Sequence, residues 1–226
     1  MDILTYSERG LVDSLVYSLT NDKLVKDFLV LGFKELETKS LSEIKLYLEH
    51  SLSDFGSPDL IITFLEAGKK TVIFVEAKVS NGKKNWKLST QYDYYCKKET
   101  KDITSNFFRQ IALKNELISN SETSVKQGLK CEDDRVRGAK EFRKLGENKI
   151  VLKLYDSIKN ANQFKYLGLV PESSIPEFLE EDKKIFSKIK YITWKQIEEF
   201  ANKNNLRYLK ENFEWNKGLI YNDDNE

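Results

Sequence analysis

The chain has 226 residues, of which 40% are hydrophobic and 32% charged, and its net charge is +1. That length can bury a core and one domain is the default expectation, while the balance excludes a disordered chain and a protein that coats nucleic acid indiscriminately. No apolar run approaches the ~18–20 residues of a membrane span, Met1-Asp2-Ile3-Leu4 lacks the pattern of a signal peptide, and Cys96 and Cys131 offer neither a disulfide framework nor zinc spacing, so a reduced, cytoplasmic setting fits.

Leu11, Leu15, Val16 and Leu19 recur at helical spacing and predict a first helix. Thr5 and Glu8 match the S/T-x-x-E capping box, in which Glu8 would reach back to the Thr5 N–H. A second helix is expected over Asn21–Leu31 and a first strand over Glu43–Leu52. His50 is the single histidine and, without a partner, a poor metal or triad candidate. Two short β-branched and aromatic runs follow, Leu60–Leu65 and Thr71–Val75, joined by Glu66-Ala67-Gly68-Lys69. A hairpin centred between Ala67 and Gly68 sets Asp59 opposite Glu76, with Cβ atoms about 4.5–5.5 Å apart. Lys78, two residues on, points to the same face. Two adjacent carboxylates repel unless a proton or a cation lies between them, and a hard divalent cation is the natural occupant. E-x-K alone is a weak signal, since Glu37-Thr38-Lys39 and Glu43-Ile44-Lys45 repeat it. The third copy differs in following an apolar strand, facing Asp59 and having Pro58 fix the start of the partner strand.

Beyond Lys78 the chain passes Gly82 and the loop Lys83-Lys84-Asn85-Trp86-Lys87, whose lysines suit a phosphate backbone and whose Trp86 suits base stacking. A helix from Leu88 carries Gln91 and Tyr95 on one face, and another runs from Asn106 to Ile118, with Gln110 and Lys114 as further substrate contacts to test. Residues 119–148 are polar, with one short helix expected over Asp134–Leu145. Arg135, Arg137, Lys140, Arg143 and Lys144 adjoin Glu132-Asp133-Asp134, which favours internal charge pairing over nucleic-acid contact. Strands are expected at Lys149–Tyr155, Phe164–Val170 and Tyr191–Thr193. Thr193 and Gln196 form a capping box that opens a helix burying Ile197, Phe200 and Ala201. Residues 1–221 read as one domain and 222–226 as a disordered acidic tail.

Asp59, the hairpin and Glu76-Ala77-Lys78 resemble the signature of the PD-(D/E)xK nuclease superfamily, which includes restriction-endonuclease-like and RecB-like enzymes, over roughly residues 5–115. Gln91-x-x-x-Tyr95 is similar to the Q-x-x-x-Y element of the RecB-like group. The resemblance implies an α/β fold with a restriction-endonuclease-like core: a helix, three antiparallel strands, a helix and a further strand. The whole would be a central mixed β-sheet flanked by helices, with additional C-terminal strands and helices. It implies hydrolysis of phosphodiester bonds with Mg²⁺ or Mn²⁺, in DNA rather than RNA. Asp59, Glu76 and the Ala77 carbonyl would hold the metal. Lys78 would either accept a proton or stay charged beside the phosphate. Glu8 and Gln91 would support that site, and Lys83, Lys84, Trp86, Lys87 and Tyr95 would touch nucleic acid; a homodimer stays open. The alternatives are an inactive nuclease fold serving as a nucleic-acid-binding or protein-interaction module, and a structural protein whose acidic pair binds nothing. A Gly-rich phosphate loop and a Gly-x-Ser-x-Gly elbow are both absent from the sequence. A glycosidase pairing of Asp59 with Glu76 leaves Lys78 unexplained.

Overall fold

The structure, a computed structural model, describes residues 4–80, 86–97, 106–137 and 140–220. The Leu60–Leu65 and Thr71–Val75 runs pair as read, with β1 (Leu41–Leu48), β2 (Leu60–Glu66) and β3 (Lys69–Ala77) forming an antiparallel meander. Between β2 and β3, Ala67 (φ 49°) and Gly68 (φ 76°) both take the left-handed conformation. This is the two-residue turn whose twist matches a hairpin. The turn fixes the register at Leu60↔Val75 and Glu66↔Lys69, and continuing that register by one residue sets Asp59 opposite Glu76.

After β3 come α3 (Leu88–Cys96), α4 (Phe107–Ser119), α5 (Glu122–Gln127), α6 (Asp134–Arg137) and α7 (Lys149–Ile158), the helices α1 (Glu8–Ser18) and α2 (Asp22–Gly32) having preceded β1. A small ribbon of β4 (Leu129–Lys130) and β5 (Phe142–Arg143) flanks α6. The chain then returns through β6 (Gln163–Val170), α8 (Glu180–Phe186), β7 (Ile189–Thr193), α9 (Trp194–Lys203), α10 (Arg207–Trp215) and α11 (Lys217–Ile220). Among the described residues the main sheet is five-stranded, ordered β1-β2-β3-β6-β7, with β6 parallel to β3 and β7 parallel to β6. The fold is therefore α/β, a mixed central sheet with helices on both faces.

Each face of β2 and β3 seeds its own core. Ile61, Val72 and Phe74 pack with Phe107, Phe108 and Ile111 of α4. Leu60, Ile62, Ile73 and Val75 pack with Leu11 and Leu15 of α1, Phe28 of α2, and Trp194 and Phe200 of α9. Burial on both faces explains why these strands read as continuous apolar runs rather than alternating ones.

Four expectations are corrected. Lys149–Tyr155 is not a strand but the start of α7. Asn148 caps it by accepting from the Ile150 N–H at 2.8 Å, and Val151, Leu154, Tyr155 and Ile158 are buried at i, i+3, i+4 and i+7. Asp134–Leu145 is not one helix; α6 ends at Arg137 and Phe142–Arg143 pair with β4. The Thr5–Glu8 capping box does not form. Ser7 is the N-cap of α1 and accepts from the Gly10 N–H at 3.4 Å. The first strand also lies earlier than expected, at Leu41–Leu48. The Thr193–Gln196 box does form and opens α9. His50 is satisfied locally, with Nδ1 2.8 Å from the Leu48 carbonyl.

The C-terminal helices tie down the chain just before α1 and just after β3. Asn212 Oδ1 accepts from the Thr5 N–H and hydroxyl, each at 2.7 Å, and Asn216 Nδ2 donates to the Thr5 carbonyl at 2.8 Å. Trp194 Nε1 donates to the Lys78 carbonyl at 2.7 Å, and the Ser80 hydroxyl to the Leu219 carbonyl at 2.9 Å. No helix among the described residues is long and apolar enough to cross a membrane.

Candidate active site

Charged groups gather where β3 ends. Asp59 Oδ2 accepts from the Ala77 N–H at 2.7 Å, which locks the start of β2 to the end of β3. Glu76 is 5% exposed. The Lys78 ammonium donates to Glu76 Oε1 at 3.0 Å, to Glu8 Oε1 at 3.1 Å and to the Ala77 carbonyl at 2.5 Å. Glu8 Oε2 accepts from the Val79 N–H at 3.2 Å. Glu8 thus turns away from its own helix terminus and into the site, joining α1 to the residues that follow β3. The Thr5 N–H that the cap would have used is taken by Asn212 Oδ1, and Glu8 instead makes a bond charged on both sides to the buried Lys78 ammonium.

A second ammonium comes from α4. Lys114 is 1% exposed, and its Nζ donates to Gln110 Oε1 at 2.5 Å and stands 3.9 Å from Glu76 Oε2. Glu76 Oε2 is buried and has no hydrogen-bond partner among the described residues. The loop that leads to Asp59 is moulded over this pair. Gly56 (φ 84°) leaves no room for a side chain, because a Cβ there would lie 2.4 Å from Gln110 Oε1 and 3.0 Å from Lys114 Nζ. From outside, the loop is braced by Arg143, which donates to the Asp54 carbonyl, and by the Gly146 N–H, which donates to Ser53 Oγ at 2.7 Å.

Burial pushes the Glu76 carboxyl up to about 7, with the Asp59 charge adding to the rise and the two lysines opposing it. Burial also raises Glu8, against the pull of Lys78. For Lys78 burial favours the neutral amine, but the charges of Glu76, Glu8 and Asp59 overcome it and hold the ammonium well above its ordinary range. Lys114 goes the other way: burial brings it down to about 8, although Glu76 and Asp59 resist.

The donor set suits a small hard cation. Lys78 places a positive charge inside a cradle of Glu76 Oε1, Glu8 Oε1 and the Ala77 carbonyl, and Glu76 Oε2 is an orphaned buried oxygen. Among the described residues no three His, Cys, Asp or Glu side chains form a ready-made metal cage. Mg²⁺ keeps several waters and takes one or two carboxylates, so Asp59, Glu76 and a carbonyl match its habits.

The remaining expected site residues lie elsewhere. Gln91 links α3 to the start of α4, its Oε1 accepting from the Phe107 N–H at 3.3 Å and its carbonyl from Asn106 Nδ2 at 2.7 Å. Tyr95 is 3% exposed, stacked beside Tyr92 and beneath the Arg135 guanidinium. Trp86 is likewise packed into the core rather than offered for stacking. Lys87 is exposed just before α3, and Lys83 and Lys84 fall outside the described residues. Of the Arg135–Lys144 cluster, Arg135 pairs with Asp133 and Asp182, Lys140 with Asp54, and Arg143 with backbone carbonyls. Sequence reasoning named Gln110 and Lys114 only as loose substrate contacts. The overlooked signal was a lysine on the apolar stripe of Phe107 and Ile111, a place where a charge must find a partner.

No family model matches the chain, and neither a curated protein nor a solved structure is detectably similar to it.

Proposed function

We propose that this chain is a metal-dependent phosphodiesterase acting on nucleic acid, DNA in preference to RNA, built on a restriction-endonuclease-like core. The observation that carries this reading is the convergence of Asp59, Glu76, the Ala77 carbonyl and Lys78 at one hairpin end, with one Glu76 oxygen buried and unpartnered. The order of α1, the β1–β3 meander, a helix packed on β3 and the parallel β6 supports the core assignment.

Asp59, Glu76 and the Ala77 carbonyl would hold Mg²⁺ or Mn²⁺, which when bound supplies Lewis-acid polarisation of the phosphate and a water of lowered pKa. Lys78 would serve as a fixed positive charge for the developing pentacovalent phosphate, its ammonium being held in place by Glu76, Glu8 and the Ala77 carbonyl. Glu8 orients the ammonium from the side of α1. The test is incubation of the purified protein with duplex DNA, single-stranded DNA and RNA in Mg²⁺, Mn²⁺ or EDTA. Cleavage that needs the metal and vanishes in Asp59→Ala supports the reading. Binding without cleavage under every condition would make the chain a nucleic-acid-binding module instead.

A further inference from the structure

Lys114 has no part in the chemistry above, yet a fully buried ammonium is costly to keep. Among the described residues no carboxylate lies within hydrogen-bond reach of it; its bonded partner is the neutral amide oxygen of Gln110. The surroundings are built to hold it there. Gln110 lies one helical turn before it, and the Gly56 backbone closes over both with no space for a Cβ. What the ammonium faces is the unpartnered Oε2 of Glu76, 3.9 Å away, on the side of the carboxylate that Lys78 does not touch.

The charge count gives this placement a meaning. Glu8, Asp59 and Glu76 carry three negative charges, and Lys78 and Lys114 return two positive ones, leaving one net negative charge. A single divalent cation turns that to +1, which one phosphodiester anion neutralises. A second divalent cation would leave +3 in a largely buried site, and charge of one sign at short range inside a protein is strongly unfavourable. A second cation on the α4 side of Glu76 would also lie directly against the Lys114 ammonium.

Resting on the function proposed above, we infer that Lys114 is a built-in second cation, a positioning residue that holds the second cation's place beside Glu76 and restricts the site to one divalent ion. The experiment is a Mn²⁺ titration at pH 7.5, free Mn²⁺ being read by electron paramagnetic resonance, on the wild-type chain and on two variants. The wild type is expected to take up one Mn²⁺ per chain. Lys114→Met, which keeps the shape and removes the charge, is expected to take up two. Gln110→Glu is nearly isosteric and neutralises the same ammonium in place; it is expected to give the same second ion, and it decides the matter if Lys114→Met does not fold. A wild type that binds two ions and still cleaves overturns this inference alone. Folded variants that stay at one ion also overturn it. A wild type that binds none overturns it together with the metal-dependent reading.

Discussion

Replacing Gly56 by alanine probes how closely the loop before Asp59 is fitted to the site. Gly56 has φ 84° and ψ 179°, a region open essentially to glycine, where another residue pays about 1–3 kcal/mol. The new Cβ would come within 2.4 Å of Gln110 Oε1 and 3.0 Å of Lys114 Nζ. The loop cannot retreat freely, being braced by Arg143 and Gly146, so Gln110 must move and Lys114 loses its acceptor. An unsatisfied buried donor costs about 1–3 kcal/mol. Alanine recovers about 0.4–1 kcal/mol by restricting the unfolded chain. The net expectation is a loss of about 1–6 kcal/mol with a middle value of about 3, a large share of the 5–15 kcal/mol that holds a typical domain. Gly68→Ala is the control: its φ is 76° but a Cβ there meets nothing within 4 Å, so only a backbone cost of about 1–2 kcal/mol remains. Guanidinium unfolding followed by circular dichroism, with a common m-value, measures both. If Gly56→Ala matches Gly68→Ala within about 0.5 kcal/mol, the loop is not moulded over Gln110 and Lys114.

Lys78→Ala is expected to abolish cleavage while Mn²⁺ affinity stays within a few-fold, and a loss of affinity as severe as that of Asp59→Ala would contradict the role assigned to the ammonium. Glu76 has a folded pKa of about 7 against 4.5 as its ordinary value, so its stabilising contribution is complete below 4.5 and is lost as pH rises through 7. In EDTA the wild type should therefore lose roughly 3 kcal/mol relative to Glu76→Gln between pH 4 and pH 8, and parallel stability curves would argue against it. Asn212→Ala strips the Thr5 N–H of its acceptor, while the Thr5 hydroxyl keeps the Gly10 carbonyl at 2.8 Å; a cost of about 1–3 kcal/mol and faster hydrogen exchange at the start of α1 are expected, and unchanged exchange there would show that the tie does not hold this segment.

The hairpin was legible because a two-residue turn sets the register of both strands, and register alone brings Asp59 to Glu76. The Thr193–Gln196 cap was legible for the same reason, being settled within one turn of helix. What escaped was decided at a distance. Glu8 had a plausible local partner in Thr5, and only the folded sheet offers Lys78 instead. Lys149–Tyr155 mixes β-branched and apolar residues that suit either period; burial of Val151, Leu154 and Ile158, with Ile150 left 66% exposed, chooses the helix. Trp86 and Tyr95 sit close to lysines in the sequence, yet their apolar area goes to the core. Lys114 reaches Glu76 only because α4 packs across β3, and no local spacing encodes that crossing.

The ties from Asn212, Asn216 and Leu219 to Thr5 and Ser80 give the site an order of assembly in time. Ribosomes make protein from the N-terminus at about 5–20 residues per second, so Glu8, Asp59, Glu76 and Lys78 are all synthesised well before the helices that anchor them. A growing chain that ends before residue 207 has nothing to pin Thr5 against and no carbonyl to receive the Ser80 hydroxyl. The acidic pocket thus reaches its final shape only after α10 and α11 have been released and have folded back, and a product truncated ahead of them carries every charged residue of the site without the ties that align them.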